Sequence, residues 1–225
     1  MRCLKTVFKI GFLILLGTVT LSVGAEDLKE KIHVLKEKVK EAQTNFPTGD
    51  LENTVYVTRI LTQMYLLDQE VRNAFLSDLK DPEVYPLISE MDAFHTQKMK
   101  EILNHHGWIT ISRFGSEADH QAWMLVQHAD DDPLFQAGCL FVLEKLIEIG
   151  ESNPKNYAYL YDRVALKFAQ FGMKQKYGTQ VNASEGEFKL CPYEGTGSEL
   201  NQRRREMGLE PINAYLEEVK SFYQK

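Results

Sequence analysis

The stretch VTRILTQMYLLDQEVRNAF, residues 57–75, gives the clearest indication of the fold class. Its apolar residues recur every three or four positions, which is the repeat of an α-helix that buries one face. The stripe consists of Val57, Leu61, Met64, Val71 and Phe75. The stretch therefore predicts a long helix over residues 51–79 that faces a hydrophobic core.

The same period continues outward from this helix through most of the chain, and residues typical of helix ends delimit the segments. Ser116 and Asn153 are favoured N-cap residues, and Pro154 suits a first helical position. Alternating residues between 175 and 192 instead predict a β-hairpin with its turn at 182–186. Further helices are predicted over residues 26–45, 84–106, 116–132, 133–149, 154–172, 198–207 and 211–223.

These elements predict a mainly α fold, a helical bundle of about five or six helices with one small β-hairpin near the C-terminal part. The chain of 225 residues is long enough to bury a real core. We expect a single helical domain over residues 51–225. A charged helical lead-in, which could be flexible, is expected over residues 26–50.

The first 25 residues predict a secretory signal peptide. Arg2, Lys5 and Lys9 precede an apolar run at residues 10–23, and small residues follow it. We expect cleavage after Ala25 and export to the periplasm or the medium. The alternative is an uncleaved membrane anchor, although the apolar run is short for a membrane span.

Charge restricts the partners of the exported chain. Cleavage lowers the number of Lys and Arg residues from 26 to 23 against 32 Asp and Glu, a net charge of −9. Such a surface repels nucleic acid and anionic lipid, so neither is an expected partner, and no stable membrane span is expected after cleavage. The run at residues 203–205, three arginines, is interpreted as a solvated helix face. The oligomeric state is left open.

Two cysteines remain after the signal peptide, Cys139 and Cys191. An oxidising compartment permits a disulfide. Cys139, however, lies in an apolar helix pattern, where cysteine usually packs as a small hydrophobic residue. We favour two unbridged thiols, with a disulfide as the alternative.

Two predicted core stripes contain ionisable residues, which are costly to bury without partners. Asp68 lies in the middle of the first helix stripe, and Arg72, one turn later, could pair with it. His95 lies in the middle of the next stripe, where Asp92 could orient its ring. The alternative for each is an internal packing contact, and a lone histidine on an apolar face is more often a satisfied core residue.

The helix predicted over residues 154–172 has apolar residues on two sides. Asp162 lies within the second apolar stripe, so we expect it to be buried and to need a hydrogen-bond donor. A helical wheel places Arg163 on the solvated side instead.

Gln127 and His128 follow the apolar run of the helix over residues 116–132. Their side chains diverge by about 100°, so we do not expect them to hold one small group together unless the helix unwinds. Three aspartates at residues 130–132 lack the alternate spacing of a calcium loop and are interpreted as solvating the helix end. We predict no metal site, with a site made by His128 and an aspartate as the alternative left open.

Several of these residues stand in motifs that resemble those of a bacterial family catalogued as a domain of unknown function, number 6624. The motifs are DQEVR (68–72), GW (107–108), QHAD (127–130), AYLYDR (158–163), YGTQ (177–180) and RREMGLEPINAY (204–215). They stand in the family's order and span nearly the whole mature chain. This sequence departs from the family pattern at Ile109, where proline usually follows GW, and at His95, where the pattern favours asparagine.

The resemblance implies a group of proteins without an established activity. It marks the following residues as members of recurrent motifs: Asp68, Arg72, Gln127, His128, Asp162, Arg163, Thr179 and Gln180. It also implies that Arg163 is paired, against the helical wheel. The departure at His95 argues against a catalytic role of that residue throughout the family.

Our functional hypothesis is that these polar groups converge in one pocket between helices. His128 is the expected general base, because imidazole titrates near neutral pH, and Asp162 would orient it or a water. Arg72 or Arg163 would hold an anionic group. The expected substrate-binding residues are Asp68, Arg72, His95, Gln127, Arg163, Tyr177, Thr179 and Gln180.

Hydrolysis of a small polar or anionic substrate is the reaction class that we consider, because it needs no cofactor. The sequence contains no G-x-S-x-G, Walker loop, H-E-x-x-H or C-x-x-C motif, so no cofactor is predicted. One alternative is non-catalytic binding of a small polar molecule or peptide in the cell envelope. The other is a buried polar network that only fixes helix packing.

Overall fold

A computed structural model of the chain describes residues 25–74, 83–184 and 187–223. The mainly α prediction is confirmed, and one antiparallel hairpin lies in the C-terminal part. The helices are α1 (Ala25–Thr44), α2 (Thr54–Ala74), α3 (Val84–His106), α4 (Ile111–Phe114), α5 (Ser116–Gln127), α6 (Pro133–Glu148), α7 (Pro154–Lys167), α8 (Gly197–Glu206) and α9 (Ile212–Tyr223). A 3₁₀ turn (Ala169–Phe171) follows α7, and the strands are β1 (Val181–Ser184) and β2 (Glu187–Leu190).

The described residues form two compact units. The N-terminal unit contains the described residues up to Ile109 together with residues 113–131. The C-terminal unit contains residues 110–112 and the described residues from Asp132 onward. The single domain expected over residues 51–225 stays a prediction.

The core of the N-terminal unit begins with α1, the predicted lead-in. Its residues Ile32, Leu35 and Val39 are at most 4 % exposed and pack with Val71 of α2 and Met91 of α3. The thin apolar stripe of α1 is therefore a packed surface. α5 lies against both α2 and α3 and is buried along nearly its whole length, which its run of apolar residues favours.

In the C-terminal unit, α6 packs on α7 and α8 packs on α9. Both α6 and α7 begin with proline at the first helical position after a side-chain cap. Asp132 accepts a hydrogen bond from the backbone N–H of Phe135, and Asn153 accepts one from Lys155, each at 3.0 Å. The predicted Asn153 cap is therefore confirmed, and one of the three aspartates interpreted as solvating has a capping role.

The predicted N-cap of α5 is wrong. The helix begins at Ser116 itself, and Gly115 precedes it without any side-chain cap. Gly115 has φ 87°, a conformation that side chains with a Cβ rarely adopt. The backbone conformation just before this helix therefore requires glycine at position 115, and Ser116 is the first helical residue.

The hairpin is shorter and lies further along the chain than its predicted position. Its strands pair from Val181 with Leu190 to Ser184 with Glu187, so the predicted turn residues belong largely to β1. Residues 175–180 form a loop instead of the predicted strand, and Gly178 there has φ 63°. The reason is that Asp162 accepts several of the loop's backbone N–H groups, which are therefore lost to strand pairing.

Cys139 and Cys191 are both buried and form no disulfide, as the sequence favoured. The predicted signal peptide lies outside the described residues except for Ala25, so its cleavage and the export of the chain stay predictions. None of the helices in the described part of the chain has the length and hydropathy needed to cross a membrane.

Candidate functional site

Helix α2 and the end of α5 bring a carboxylate, a guanidinium and an imidazole into one hydrogen-bonded cluster in the N-terminal unit. Asp68 and Arg72 lie one turn apart on α2, and Arg72 Nε donates to Asp68 Oδ1 at 2.9 Å. His128, the residue after α5, has its Nδ1 2.8 Å from the same oxygen. Gln69 Nε2 donates to Asp68 Oδ2 at 2.8 Å. Asp68 is fully buried and His128 is 2 % exposed, so the pair is shielded from bulk solvent.

A second carboxylate completes the ion pairing of this cluster. Arg72 Nη2 forms a salt bridge with Asp92 of α3, and both side chains are nearly buried. The predicted Asp68–Arg72 pair on α2 is therefore confirmed, and Asp92 extends it to α3. Arg72 was predicted to hold an anionic substrate. Its guanidinium instead binds two carboxylates of the protein itself.

The charge state of Asp68 determines the tautomer of His128. Burial raises the pKa of Asp68, but Arg72 and the His128 hydrogen bond outweigh it and hold the pKa well below its ordinary value. An ionised carboxylate can only accept hydrogen bonds, so Nδ1 of His128 is the donor. Burial, followed by the charge of Arg72, lowers the pKa of His128 despite the attraction of Asp68. His128 is therefore neutral at neutral pH, and its Nε2 carries a lone pair.

The Nε2 atom of His128 has no hydrogen-bond partner among residues 25–74, 83–184 and 187–223. An ionised carboxylate on Nδ1 and an unpaired Nε2 are the two properties of a general base. Gln127, the other half of the predicted pair, is 1 % exposed. α5 ends at Gln127, and His128 keeps a nearly helical backbone with its N–H bonded to Met124, so the helix end does not unwind.

His95 lies on α3, buried to 2 % exposure, and it lines a cavity of about 310 Å³. Neither of its ring nitrogens has a hydrogen-bond partner in the described part of the chain. The expectation that Asp92 orients this ring is wrong, because Asp92 binds Arg72 and makes no hydrogen bond to His95. Burial lowers the pKa of His95 to about 4, so the ring is neutral.

Asp162 is at the centre of a second cluster, in the C-terminal unit. One carboxylate oxygen accepts the backbone N–H groups of Lys176 and Tyr177 at 2.8 and 3.1 Å. The other accepts the N–H and the hydroxyl of Thr179 at 2.8 and 3.0 Å. Burial raises the pKa of Asp162 to about 6, and these four hydrogen bonds oppose the rise. The donor predicted for Asp162 is thus the loop over residues 175–180.

Arg163 is 2 % exposed, so its solvated position on the helical wheel is wrong and the pairing implied by the family motif is correct. Its Nη1 donates to Gln180 Oε1 at 3.3 Å, and Gln180 Nε2 donates to Thr179 Oγ1 at 3.1 Å. The wheel failed because the loop over residues 175–180 covers the side of α7 that lacks apolar residues. Gln180 lies in that loop, directly before the hairpin.

Three residues of this second cluster were not expected from the sequence. The side chain of Gln175 bonds to the backbone of Gln180 and to the Cys191 carbonyl. Arg204 is 1 % exposed and donates to the Tyr177 carbonyl at 2.6 Å, and its guanidinium lies over the ring of Tyr215. The interpretation of the arginine run as a solvated face is therefore wrong for Arg204. Its position in the RREMGLEPINAY motif was the available signal.

The structure thus places the predicted site residues in two clusters, each within its own unit. Asp68, Arg72 and His128 share one, with His95 close by; Asp162, Arg163, Tyr177, Thr179 and Gln180 share the other. Their meeting in one common pocket stays a prediction. In the described residues, no group of three or more His, Cys, Asp and Glu side chains is arranged to hold a metal ion.

Comparison with known proteins relates this chain to a family and gives no activity. Neither the curated proteins nor the solved structures contain a match. The sequence model of one family matches residues 56–224, which include nearly all of α2, the whole of α3 and α5, and both clusters. Because the match covers well over half of the chain, the protein belongs to the family of unknown function DUF6624.

Proposed function

We propose that the protein is a hydrolase in which His128 acts as the general base and Asp68 orients its ring. The observation that carries this proposal is the Asp68–His128 hydrogen bond, which leaves Nε2 unpartnered among the described residues. The Nε2 lone pair would take a proton from a water that attacks the substrate. From the predicted signal peptide, we infer that the reaction takes place outside the cytoplasm.

The charges of the cluster favour this proton transfer. Asp68 and Asp92 carry two negative charges against the single positive charge of Arg72, so the three groups have a net charge of −1. A proton taken up by His128 brings the net charge of the cluster to zero. Burial and Arg72 disfavour the imidazolium, and the carboxylates of Asp68 and Asp92, already in place, offset part of this cost as it forms.

The same charges indicate the substrate class. Arg72 is bound by two carboxylates, and the cluster has an excess negative charge, so an anionic substrate would be repelled. We therefore narrow the substrate from polar or anionic to small, polar and uncharged. Esters and amides of this kind are cleaved by a water that a general base activates.

The role of Asp162 differs from the one that the sequence suggested. All four of its hydrogen bonds described above anchor the loop over residues 175–180. We propose that Asp162 is a loop-positioning residue and that Asp68 takes the orienting role. Tyr177, Thr179 and Gln180 are then parts of that loop, and Arg163 holds it through Gln180.

The test compares wild type with His128→Asn in the hydrolysis of uncharged p-nitrophenyl esters and anilides. The asparagine amide can replace Nδ1 as donor to Asp68, but it has no equivalent of Nε2. Loss of the base should lower kcat/KM by about 10²- to 10⁴-fold at nearly unchanged Tm. His33→Asn, an exposed change on α1, is the control. Equal turnover by His128→Asn and wild type would contradict the proposal, and a large loss of Tm would instead favour a packing network.

A further inference from the structure

The cavity in the N-terminal unit lies among α1, α2 and α3. Its walls include Asn45 and Phe46 after α1, Met64 and Leu67 of α2, and Phe94 and His95 of α3. We propose that this cavity binds a small uncharged molecule with an apolar, ring-sized body and one amide or hydroxyl group that His95 recognises. The proposal goes beyond the proposed function, because binding at His95 does not require His128 to act as a base.

The unpaired ring of His95 is the first observation in favour of a ligand. Buried polar atoms in proteins are nearly always hydrogen-bonded, and both ring nitrogens of His95 lack a partner among the described residues. The same residue lines the cavity, although its two nitrogens are themselves buried, so we infer that a small rotation of the ring turns them to a bound molecule. A packed core histidine without a cavity would offer no such access.

The size and lining of the cavity restrict the body of the ligand. A volume of about 310 Å³ is at the lower end of the range for small-molecule sites. Phe46 and Phe94 meet edge to face at 5.3 Å between ring centroids, and Met64 and Leu67 add an aliphatic wall. These four side chains fit one aromatic ring or a short alkyl group, and Lys38, Glu41 and Gln63 form the polar part of the lining.

The charge state of His95 restricts the polar group of the ligand. The ring is neutral, so it offers one N–H donor and one acceptor nitrogen. An amide or a hydroxyl group also has both a donor and an acceptor and can pair with either nitrogen. A carboxylate can only accept. Lys38 of the cavity lining is paired with Glu70, whereas Glu41 of the lining and the carboxylates of Asp68 and Asp92 that act on His95 would repel an anion.

The test titrates the purified chain with benzamide and with benzoate, which share a ring and differ in charge. Long-range ¹H–¹⁵N NMR spectra report the two nitrogens of His95 directly. Benzamide should shift the His95 resonances in a saturable manner, and benzoate should bind at least about tenfold more weakly. Saturable binding of benzoate as tight as that of benzamide, or no saturable shift with benzamide, would overturn the proposal.

Variants test separately whether benzamide binding depends on the His95 ring and on the space in the cavity. His95→Leu should weaken benzamide binding about tenfold, whereas His33→Leu on exposed α1 should not change it. Ala42→Phe should fill the cavity and abolish binding while both histidines remain. His128→Asn should still bind benzamide even where it lacks turnover, so failure of the hydrolase proposal and failure of the binding site are distinguishable. Unchanged affinity in both His95→Leu and Ala42→Phe would contradict the site.

Discussion

His128 Nδ1 lies 2.8 Å from Asp68 Oδ1, although the two residues are 60 positions apart in the chain: Asp68 lies within α2 and His128 directly follows α5. Both side chains are almost completely withdrawn from solvent. Asp68 also accepts a hydrogen bond from Arg72, so a single buried carboxylate orients the imidazole and anchors the guanidinium. Stability and the proposed chemistry therefore depend on the same group, and variants must be chosen to separate them.

Replacement of Asp68 by asparagine tests the stability role. The change leaves Arg72 with one carboxylate and removes the charge that holds His128, so we expect a loss of about 3 kcal/mol in the free energy of unfolding. Glu70→Gln on the same helix is the control, because it removes an exposed pair with Lys38 and should cost less than about 1 kcal/mol. Urea unfolding measures both. Equal losses in the two variants would show that the Asp68 cluster does not stabilise the fold.

The pH dependence of stability follows from the neutral state of His95. Its folded pKa is about 4 and its ordinary value is 6.5, so between these values the unfolded chain binds a proton that the folded chain does not. Stability should therefore fall as the pH falls from 6.5 to 4, by up to about 1.4 kcal/mol per pH unit from this residue. His95→Gln should flatten the dependence, and His33→Gln should not. A slope that is the same in wild type and His95→Gln would show that His95 is protonated in the folded state.

Asp162→Asn tests whether Asp162 anchors the loop. The substitution turns one of the two acceptor oxygens into a donor, opposite the N–H groups of Lys176, Tyr177 and Thr179, so we expect a loss of about 2–4 kcal/mol. Hydrogen exchange of these amides should accelerate at the same time. The control is Asp131→Asn, an exposed change that should alter stability by less than about 0.5 kcal/mol. Slow exchange in the Asp162 variant would contradict the anchoring role.

The parts of the fold that local pattern determines were predictable from the sequence. Apolar spacing located the main helices, and the four-residue step from Asp68 to Arg72 predicted their ion pair. Caps that lie next to proline, such as Asn153 before Pro154, were equally predictable because both partners lie within one turn.

Contacts between distant segments could not be predicted from the same patterns. A helical wheel compares Arg163 only with its neighbours on α7, so it could not show the loop that covers this face. The position of the hairpin was predicted wrongly for the same reason. Asp162 accepts hydrogen bonds from backbone N–H groups in a segment that the alternating pattern predicted to be a strand. Likewise, nothing in the local sequence selects Asp68 as the partner of His128 or directs Asp92 to Arg72 instead of His95.

The tautomer of His128 tests the central claim most directly. ¹⁵N NMR at pH 7 should find the proton on Nδ1 and a bare Nε2, because the ionised Asp68 can only accept. Asp68→Asn should abolish this preference, and His33 in the same spectrum serves as the exposed reference. A proton on Nε2, or on both nitrogens, would leave no lone pair on Nε2, the proposed base, and would contradict the account.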